Sequence, residues 1–444
     1  MLSTPMTIRT LQRKLYRKAK QEPAFRFYAL YDKLYRDDIL SHAYDLVRAN
    51  KGAPGIDGVT FEAIESKEGK VDYLARLKEA LQAKTYRAHA VKRVWIPKAD
   101  GSKRPLGIPI LQDRIVQMAL KLVVEPIFEA DFCDMSYGFR PKRSAHQAID
   151  QIADALLYGH RYVIDADLSK YFDTIPHAKL LSVVAERISD GAILALIKQW
   201  LKAVVVEQDG NGKRRTIGGG KGNRKGTPQG GVASPLLANL YLHLLDRIWE
   251  RHNLAKRLDA RLVRYADDLV ILCRHDVSRP MEVLQTVLKR LDLHLNETKT
   301  NVVDARTQSF DFLGFSFQLR CSRKSGKVYP HVEPSRRSQQ RLKDRVKQLT
   351  DRRRCPVPLD DMMKELNNSL RGWSGYFHYR NSSKVFGNVK MQVEERLRTQ
   401  LRRRHKLLSR GSAYGRFPSH SLYGRYGLYK LPTTAQWKKA HALR

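Results

Sequence analysis

Apolar residues recur along the chain either at helical spacing or in short alternating and continuous runs. The first pattern predicts helices and the second predicts strands. Helical spacing predicts helices over 11–50, 72–86, 111–130, 144–158, 178–202, 233–251, 280–293, 335–350, 360–378 and 384–409. Alternating or continuous apolar runs predict strands over 91–97, 104–109, 161–168 and 261–273, with two more near 300–320. Gly-rich stretches predict loops over 51–58 and 209–231. Mixed strands and helices followed by a run of helices are typical of an α+β chain.

Acidic residues occupy two of the predicted strand segments. Period-two alternation puts Asp165 and Asp167 on one face of the strand, with Ile164, Ala166 and Leu168 on a buried face. Asp267 and Asp268 stand at the turn between two apolar strands. Carboxylates on adjacent core strands make a hard oxygen site that suits Mg²⁺. A hairpin turn that merely favours Asp is the alternative, because a four-residue pattern recurs by chance.

The chain is strongly basic, with a formal charge of +37 over 444 residues. This charge predicts a polyanionic partner, and its spread along the chain favours nucleic acid over a membrane surface. Residues 321–444 hold 30 Lys+Arg and 8 Asp+Glu, a net of +22, which marks a domain boundary near 320. A hydrophobic content of 42% excludes a disordered tail.

The cysteines and apolar runs bear on location. The four cysteines are scattered without a CxxC pair, which predicts reduced thiols of a cytosolic protein and no zinc site. No apolar run approaches the roughly 20 residues that span a bilayer, so we expect no membrane partner. The first 21 residues are basic, amphipathic and free of acids, which is also typical of a mitochondrial presequence. Since the whole chain is basic, we favour the cytoplasm over an organelle.

Tyr265-Ala-Asp-Asp268 resembles the signature of reverse transcriptases. Flanking segments narrow the resemblance to group II intron-encoded maturase–reverse transcriptases over about residues 45–380. These segments are Lys51–Thr60 (KGAPGIDGVT), Arg104–Pro109 (RPLGIP) with Asp113, Arg114 and Gln117, Asp167–Asp173 (DLSKYFD), Gly226–Asn239 (GTPQGGVASPLLAN) and Phe312–Phe315 (FLGF). The resemblance implies a right-hand polymerase with mixed fingers, an antiparallel-sheet palm and a helical thumb.

The resemblance also implies roles for single residues. Asp167, Asp267 and Asp268 would be the catalytic metal ligands for two Mg²⁺ ions, with Mn²⁺ able to substitute. Asp165 and Asp173 are weaker candidates. The implied nucleotide-binding residues are Lys98, Arg104, Phe172, Gln229 and Lys299. Among these, Phe172 would exclude a 2′-hydroxyl and Lys299 would protonate the leaving pyrophosphate, whereas a core aromatic and a surface lysine are the alternatives.

The C-terminal third resembles the thumb and maturase domain of the family. Aromatic residues beside cations suit RNA, so we expect RNA-binding residues at Arg371, Trp373, Arg402, Arg403 and Arg404. Trp373 at helical spacing from Tyr376 and Phe377 also fits core packing, with rings inward and cations outward. No cysteine follows Cys355, so we expect the short form without the family's HNH endonuclease domain.

The predicted domains follow from these segments. They are an N-terminal helical extension and start of the fingers (1–90), fingers (91–160), a palm (161–318, with 178–231 returning to the fingers), a thumb/maturase domain (319–410) and a basic tail that could contact DNA (411–444).

The resemblance implies an RNA-directed DNA polymerase that also assists intron splicing and retrohoming. Its expected partners are group II intron RNA, an RNA template with a DNA primer, target DNA and deoxynucleoside triphosphates, in a bacterial ribonucleoprotein at the nucleoid. A domesticated relative in DNA repair or phage defence, and a splicing-only maturase, are the alternatives.

Overall fold

The computed structural model describes residues 2–97, 101, 103–209 and 212–435. The described helices are α1 (Met6–Gln21), α2 (Tyr31–Leu34), α3 (Asp37–Ala49), α4 (Phe61–Lys67), α5 (Gly69–Gln82), α6 (Leu111–Glu129), α7 (Ala145–Leu157), α8 (Tyr171–Thr174), α9 (His177–Ala185), α10 (Gly191–Leu201), α11 (Ser234–Arg251), α12 (Leu254–Arg257), α13 (Ser278–Arg290), α14 (Arg336–Leu349), α15 (Leu359–Phe377), α16 (Ser383–Arg404), α17 (Arg410–Arg416) and α18 (Ser419–Gly424). The described strands are β1 (Val91–Pro97), β2 (Lys103–Ile108), β3 (Tyr162–Ala166), β4 (Val205–Gln208), β5 (Arg214–Gly218), β6 (Ala260–Tyr265), β7 (Asp268–Cys273), β8 (Asn301–Asp304), β9 (Phe310–Phe312), β10 (Phe315–Cys321) and β11 (Val328–Pro334).

Contacts divide the chain into two compact units. The first comprises Met1–Ala148, Ala166–Ile271 and Asp276–Asn301, and the second comprises Ile149–Asp165, Leu272–His275 and Val302–Arg444. Helices and mixed sheets occur together in the chain, so the predicted α+β class is confirmed.

The first unit begins with helices that pack on the long helix α6. Both α1 and α3 contact α6, and α1 buries Ile8, Leu15 and Ala19 along one stripe. The helix predicted over 11–50 is in fact three helices, because the chain turns at 22–30 and again near 35–36. Helix α4 was not predicted; it begins where Thr60 Oγ1 accepts a hydrogen bond from the Ala63 amide.

A four-stranded sheet in this unit has the order β2-β1-β4-β5. The predicted hairpin is confirmed, because β1 and β2 pair antiparallel with Ile96 opposite Arg104. The predicted turn residues Ala99, Asp100 and Ser102 lie outside the described residues. The loop predicted over 209–231 was wrong in part, since 214–218 forms β5 antiparallel to β4. All five residues of β5 are exposed, so no apolar alternation marks this strand in the sequence.

A second four-stranded sheet has the order β6-β7-β3-β8, and the boundary between the two units runs through β3, β7 and β8. Helix α11, in the first unit, buries most of its residues, including Trp249. Strand β3 differs from its prediction. Val163 is as fully buried as Ile164, so both faces of the strand are covered.

The second unit contains a three-stranded sheet, β11-β10-β9, and the C-terminal helices. Its helical core includes residues of α14, α15 and α16, and the three helices predicted there are confirmed, although α16 ends at Arg404. Strand β11 and helices α17 and α18 were not predicted. Leu422 and Phe417 from this last segment join the same core. Over the described residues, no helix is both long and apolar enough to cross a bilayer.

Candidate active site

The three predicted carboxylates belong to the first unit, and each lies at the end of a strand. Asp167 directly follows β3, Asp267 lies in the turn between β6 and β7, and Asp268 begins β7 as an exposed residue. Burial raises the pKa of Asp267, and the negative charge of Asp167 raises it further. The guanidinium of Arg104 opposes this rise. Asp167, Asp267 and Arg104 therefore share one electrostatic environment.

The turn that carries Asp267 has a strained backbone. Ala266 adopts φ +57°, a left-handed conformation that costs a non-glycine residue roughly 1–2 kcal/mol. Gly138 packs against it so closely that a Cβ at this position would stand 2.3 Å from the Ala266 nitrogen. Only glycine fits there, so the chain before α7 closes over the turn.

A buried arginine lies beneath the same turn. Arg264 is 0% exposed, and its Nε donates to Asp246 Oδ1 at 2.9 Å while Nη2 pairs with Oδ2 of the same carboxylate. Its Nη1 donates to Asn239 Oδ1 at 2.9 Å and to the carbonyl of Ala266 at 3.0 Å. This cluster was not predicted from the sequence. Its signals were an arginine in an apolar strand and an aspartate in an apolar helix.

The predicted Lys299 comes next to Asp167. Lys299 Nζ lies 3.7 Å from Asp167 Oδ2, and the lysine remains exposed. The backbone brings them together, because the Asn296 amide donates to the Asp167 carbonyl at 2.8 Å and the Asp167 amide donates to Thr300 Oγ1 at 3.4 Å. The segment 294–300 therefore braces the end of β3.

Two of the predicted nucleotide-binding residues also meet. Arg104 Nε donates to Gln229 Oε1 at 3.0 Å, and the Gly107 amide donates to the Gln229 carbonyl at 2.5 Å. Gly230 approaches β2 so closely that a Cβ there would stand 2.4 Å from the Gly107 oxygen. Lys98, predicted to act with Arg104, lies outside the described residues.

Phe172 lies in the short helix α8, five residues after Asp167. Its side chain is 7% exposed, its ring meets Tyr171 edge to face, and its carbonyl accepts from the Thr227 amide at 2.7 Å. This burial fits a core aromatic, and the role against the 2′-hydroxyl stays a prediction. Of the weaker candidates, Asp173 is exposed and Asp165 is half-buried.

The predicted RNA-binding residues divide into one ring and four cations. Trp373 is half-buried and packs on the helical core of the second unit, with its ring centroid 5.1 Å from that of Phe377 and 4.7 Å from that of Phe386. The arginines lie nearer the surface: Arg371 and Arg403 are exposed, and Arg402 and Arg404 are half-buried. Arg371 stands over the Tyr429 ring, and Arg404 donates to the Arg354 carbonyl.

No group of three or more His, Cys, Asp or Glu side chains in the described residues is arranged closely enough to form a ready-made metal cage. The donor set nevertheless fits a hard divalent cation, because Asp167, Asp267 and Asp268 offer carboxylate oxygens alone. Repulsion between Asp167 and Asp267 raises the pKa of Asp267, and a cation between the two would relieve that repulsion.

Two segments of the chain match known protein families. Residues 96–317 match the family described as reverse transcriptase (RNA-dependent DNA polymerase), and residues 339–417 match the group II intron, maturase-specific domain. Reverse transcriptase domains use divalent metal ions. The mixed helix-and-sheet chain agrees with the right-hand polymerase fold of that family.

Individual relatives give the same assignment. Protein YkfC of Escherichia coli (strain K12) is 34% identical over 355 residues, covering 72% of this chain and 90% of that protein. The group II intron-encoded protein LtrA of Lactococcus lactis subsp. cremoris is 31% identical over 369 residues, covering 68% of this chain and 59% of LtrA. An uncharacterized 91 kDa protein in the cob intron of Schizosaccharomyces pombe is 26% identical, covering 78% and 51%. The chain thus spans little more than half the length of the last two. It belongs to the group II intron-encoded maturase–reverse transcriptase family, whose catalytic domain is an RNA-directed DNA polymerase.

Proposed function

We propose that this chain extends a DNA primer along an RNA template, with Asp167, Asp267 and Asp268 as the catalytic carboxylates. The observation that carries the proposal is the position of Lys299, whose Nζ lies 3.7 Å from Asp167 Oδ2. A cation this close to the carboxylates could neutralise the negative charge that develops on the leaving pyrophosphate during phosphoryl transfer. The coupling of Asp167 with Asp267 supports the same site.

The three carboxylates would hold two Mg²⁺ ions, and Mn²⁺ could replace them. When bound, such ions make the primer 3′-hydroxyl a stronger nucleophile and neutralise charge on the phosphates. Asp267 is partly withdrawn from water and already repelled by Asp167, so a bound cation would stabilise its charged form. The carboxylates would therefore be more stable with divalent ions bound than without them.

The remaining side chains would bind the deoxynucleoside triphosphate. Arg104 would grip the phosphates through its planar fork, with Lys98 as a second charge. Gln229 would hold the Arg104 side chain in place, because its Oε1 already accepts a hydrogen bond from Arg104 Nε. Phe172 would lie against the sugar and select against a 2′-hydroxyl.

Lys299 would donate the proton that the leaving pyrophosphate needs. Lys299 Nζ lies 3.7 Å from Asp167 Oδ2, so the lysine is already beside the catalytic carboxylate where the step would take place. Its exposure would let solvent restore the proton afterwards.

The second role that we propose is binding of the intron RNA that encodes the chain, to assist splicing and then retrohoming at a DNA target. Residues 321–444 carry a net charge of +22, and exposed arginines such as Arg371 and Arg403 lie on the surface of a helical core. These cations would neutralise RNA phosphates, while rings such as Trp373 stabilise the fold that presents them.

Primer extension on an RNA template with Mg²⁺ and deoxynucleotides tests the polymerase role. Asp267→Asn should abolish extension, whereas Asp361→Asn, an exposed carboxylate on α15, should leave it intact. An inactive wild type, or an active Asp267→Asn variant, contradicts the polymerase role. An inactive wild type that still promotes splicing of its intron would favour the splicing-only alternative.

A further inference from the structure

The proposed polymerase function does not use the buried cluster of Arg264, Asp246 and Asn239. A buried ion pair is weak grounds for stability, because apolar side chains of similar volume stabilise a fold as well or better. Arg264 and Asp246 are both 0% exposed, so water contributes nothing to either charge. The presence of the pair therefore calls for a second reason.

That reason lies in the third partner of the guanidinium. Arg264 Nη1 donates to the carbonyl of Ala266, the residue with left-handed backbone just before Asp267. Two bonds to Asp246 fix the plane of the guanidinium, so the direction of its bond to Ala266 is fixed as well. A strained turn needs such support to persist in one conformation.

Asn239 extends the support to the other side of the turn. Its Oδ1 accepts from Arg264, and its Nδ2 donates to the carbonyl of Gly138 at 2.5 Å. Gly138 is the residue that packs against the Ala266 backbone. One hydrogen-bonded network therefore contacts the turn from below and from the side.

We infer that Arg264, held by Asp246 and Asn239, is a positioning residue that fixes the turn and so presents the Asp267 carboxylate towards Asp167. This inference rests on the proposed polymerase site, because the orientation of the Asp267 carboxylate matters only if Asp267 is a catalytic residue. It predicts that the turn loses order when the guanidinium is removed, even where the fold survives.

The test replaces the pair by apolar residues, in the double variant Arg264→Met with Asp246→Leu. This exchange avoids an unpaired buried charge and removes the bond to Ala266. The matched control is Arg187→Met with Asp131→Leu, since Arg187 is also buried, its Nε lies 3.0 Å from Asp131 Oδ2, and its other partners are carbonyls of residues 19–25. Three measurements are made on the double variant and on its control. They are thermal unfolding, hydrogen exchange of peptides covering 263–270, and single-turnover extension over a range of Mg²⁺ concentrations.

In the first double variant we expect exchange at the turn to rise about tenfold, as loss of one hydrogen bond from a charged donor implies. We expect the rate at saturating Mg²⁺ to fall about 10- to 100-fold, and the Mg²⁺ concentration for half-maximal rate to rise. The control should change none of these three values. Wild-type exchange at 263–270 together with a wild-type Mg²⁺ dependence would overturn the inference.

Two further measurements keep the test decisive. If the double variant does not fold, Arg264→Lys replaces it, because an ammonium pairs with Asp246 but cannot also keep the planar bonds to Asn239 and Ala266. Unchanged exchange and Mg²⁺ dependence in that variant overturn the inference equally. If the wild type extends no primer, the proposed function fails by itself, and exchange at the turn still tests the positioning role.

Discussion

Arg104 Nε donates a hydrogen bond to Gln229 Oε1 across 3.0 Å, although 125 residues separate the two along the chain. The contact joins strand β2 to the Pro-Gln-Gly segment before α11. Both residues were predicted to bind nucleotide from separate motifs, and the fold brings them to one place. The partner of Arg104 is a neutral amide and not a carboxylate, so the contact orients the guanidinium without forming an ion pair.

Arg104→Lys should therefore weaken nucleotide binding more than it slows chemistry. Lysine carries the charge but cannot keep the bond to Gln229 and offer a planar fork to phosphates together. We expect the KM for deoxynucleotides to rise about tenfold, the effect of about 1.4 kcal/mol, while kcat changes less. Steady-state primer extension measures both constants.

Arg214→Lys is the control for that change. Arg214 lies on β5 of the same sheet and donates to the Ile56 carbonyl, away from Gln229. An equal rise of KM in this variant would show that any cation of the sheet contributes, and that Arg104 has no special role.

The turn that carries Asp267 shows how much of the site could be predicted from the sequence. The strands around Asp267 follow from two apolar runs on either side of a polar turn, and Lys299 was predicted from a motif, because both signals lie in adjacent residues. The left-handed Ala266 does not follow, since its cost is offset by Arg264, which is itself held by Asn239 from a distant segment, and by Gly138 from another. Such a network depends on tertiary contacts that no local period records.

The same reason explains the elements that were missed. Strand β5 has no buried face and exists because its backbone pairs with β4. Helices α17 and α18 are short, and their order comes from Phe417 and Leu422 entering a core built by α14–α16. Long amphipathic helices such as α6 were predicted correctly, because they carry their own signal over many turns.

Lys299→Arg separates a proton donor from a simple ion pair. Arginine keeps the pairing with Asp167, but its pKa is too high for it to release a proton readily. We expect the single-turnover rate of incorporation to fall about 100-fold in Lys299→Arg and in Lys299→Leu alike, the usual size of general acid catalysis. Lys289→Leu, an exposed lysine on α13, should be silent. A normal rate in Lys299→Arg contradicts the proton-donor role.

Phe172→Val should relax discrimination against ribonucleotides. The ring is 7% exposed, so the change also leaves a cavity and costs stability, of the order of a few kcal/mol. The ratio of kcat/KM for deoxynucleotide to ribonucleotide is therefore the useful measurement, because it does not depend on the amount of folded enzyme. We expect that ratio to fall at least about tenfold, since the ring would no longer meet the 2′-hydroxyl.

Phe128→Val provides the comparison for this loss of volume. Phe128 is buried to a similar degree, on helix α6. It should lower stability with an unchanged ratio. The same ratio in Phe172→Val as in the wild type would leave Phe172 as a core aromatic only.

His177 should make stability depend on pH in the mildly acidic range. Burial lowers the pKa of His177, although its Nε2 contacts the Gly226 carbonyl at 2.7 Å. Below about pH 6.5 the unfolded chain binds a proton that the folded chain resists, so the free energy of unfolding falls as pH falls. His177→Gln should lose less stability than the wild type between pH 7.5 and 5.5. His252→Gln, at an exposed position, should match the wild type, and equal losses in all three proteins would exclude His177 as the source.

Salt should weaken RNA binding steeply. Substitutions within residues 321–444 should affect either RNA binding or stability, depending on whether the side chain is exposed or packed. A net charge of +22 over residues 321–444 predicts a log–log slope of affinity against salt of several units. Arg403→Ala, at an exposed position, should reduce that slope by about one unit without changing the melting temperature, because it removes one phosphate contact. Trp373→Ala should do the reverse, lowering the melting temperature and leaving the slope unchanged, because its ring packs on Phe377 and Phe386. Salt titrations of intron RNA binding and thermal unfolding of the same samples measure both. A flat salt dependence would place the excess charge away from the RNA, and a Trp373→Ala variant of normal stability with weakened binding would assign its ring to RNA stacking.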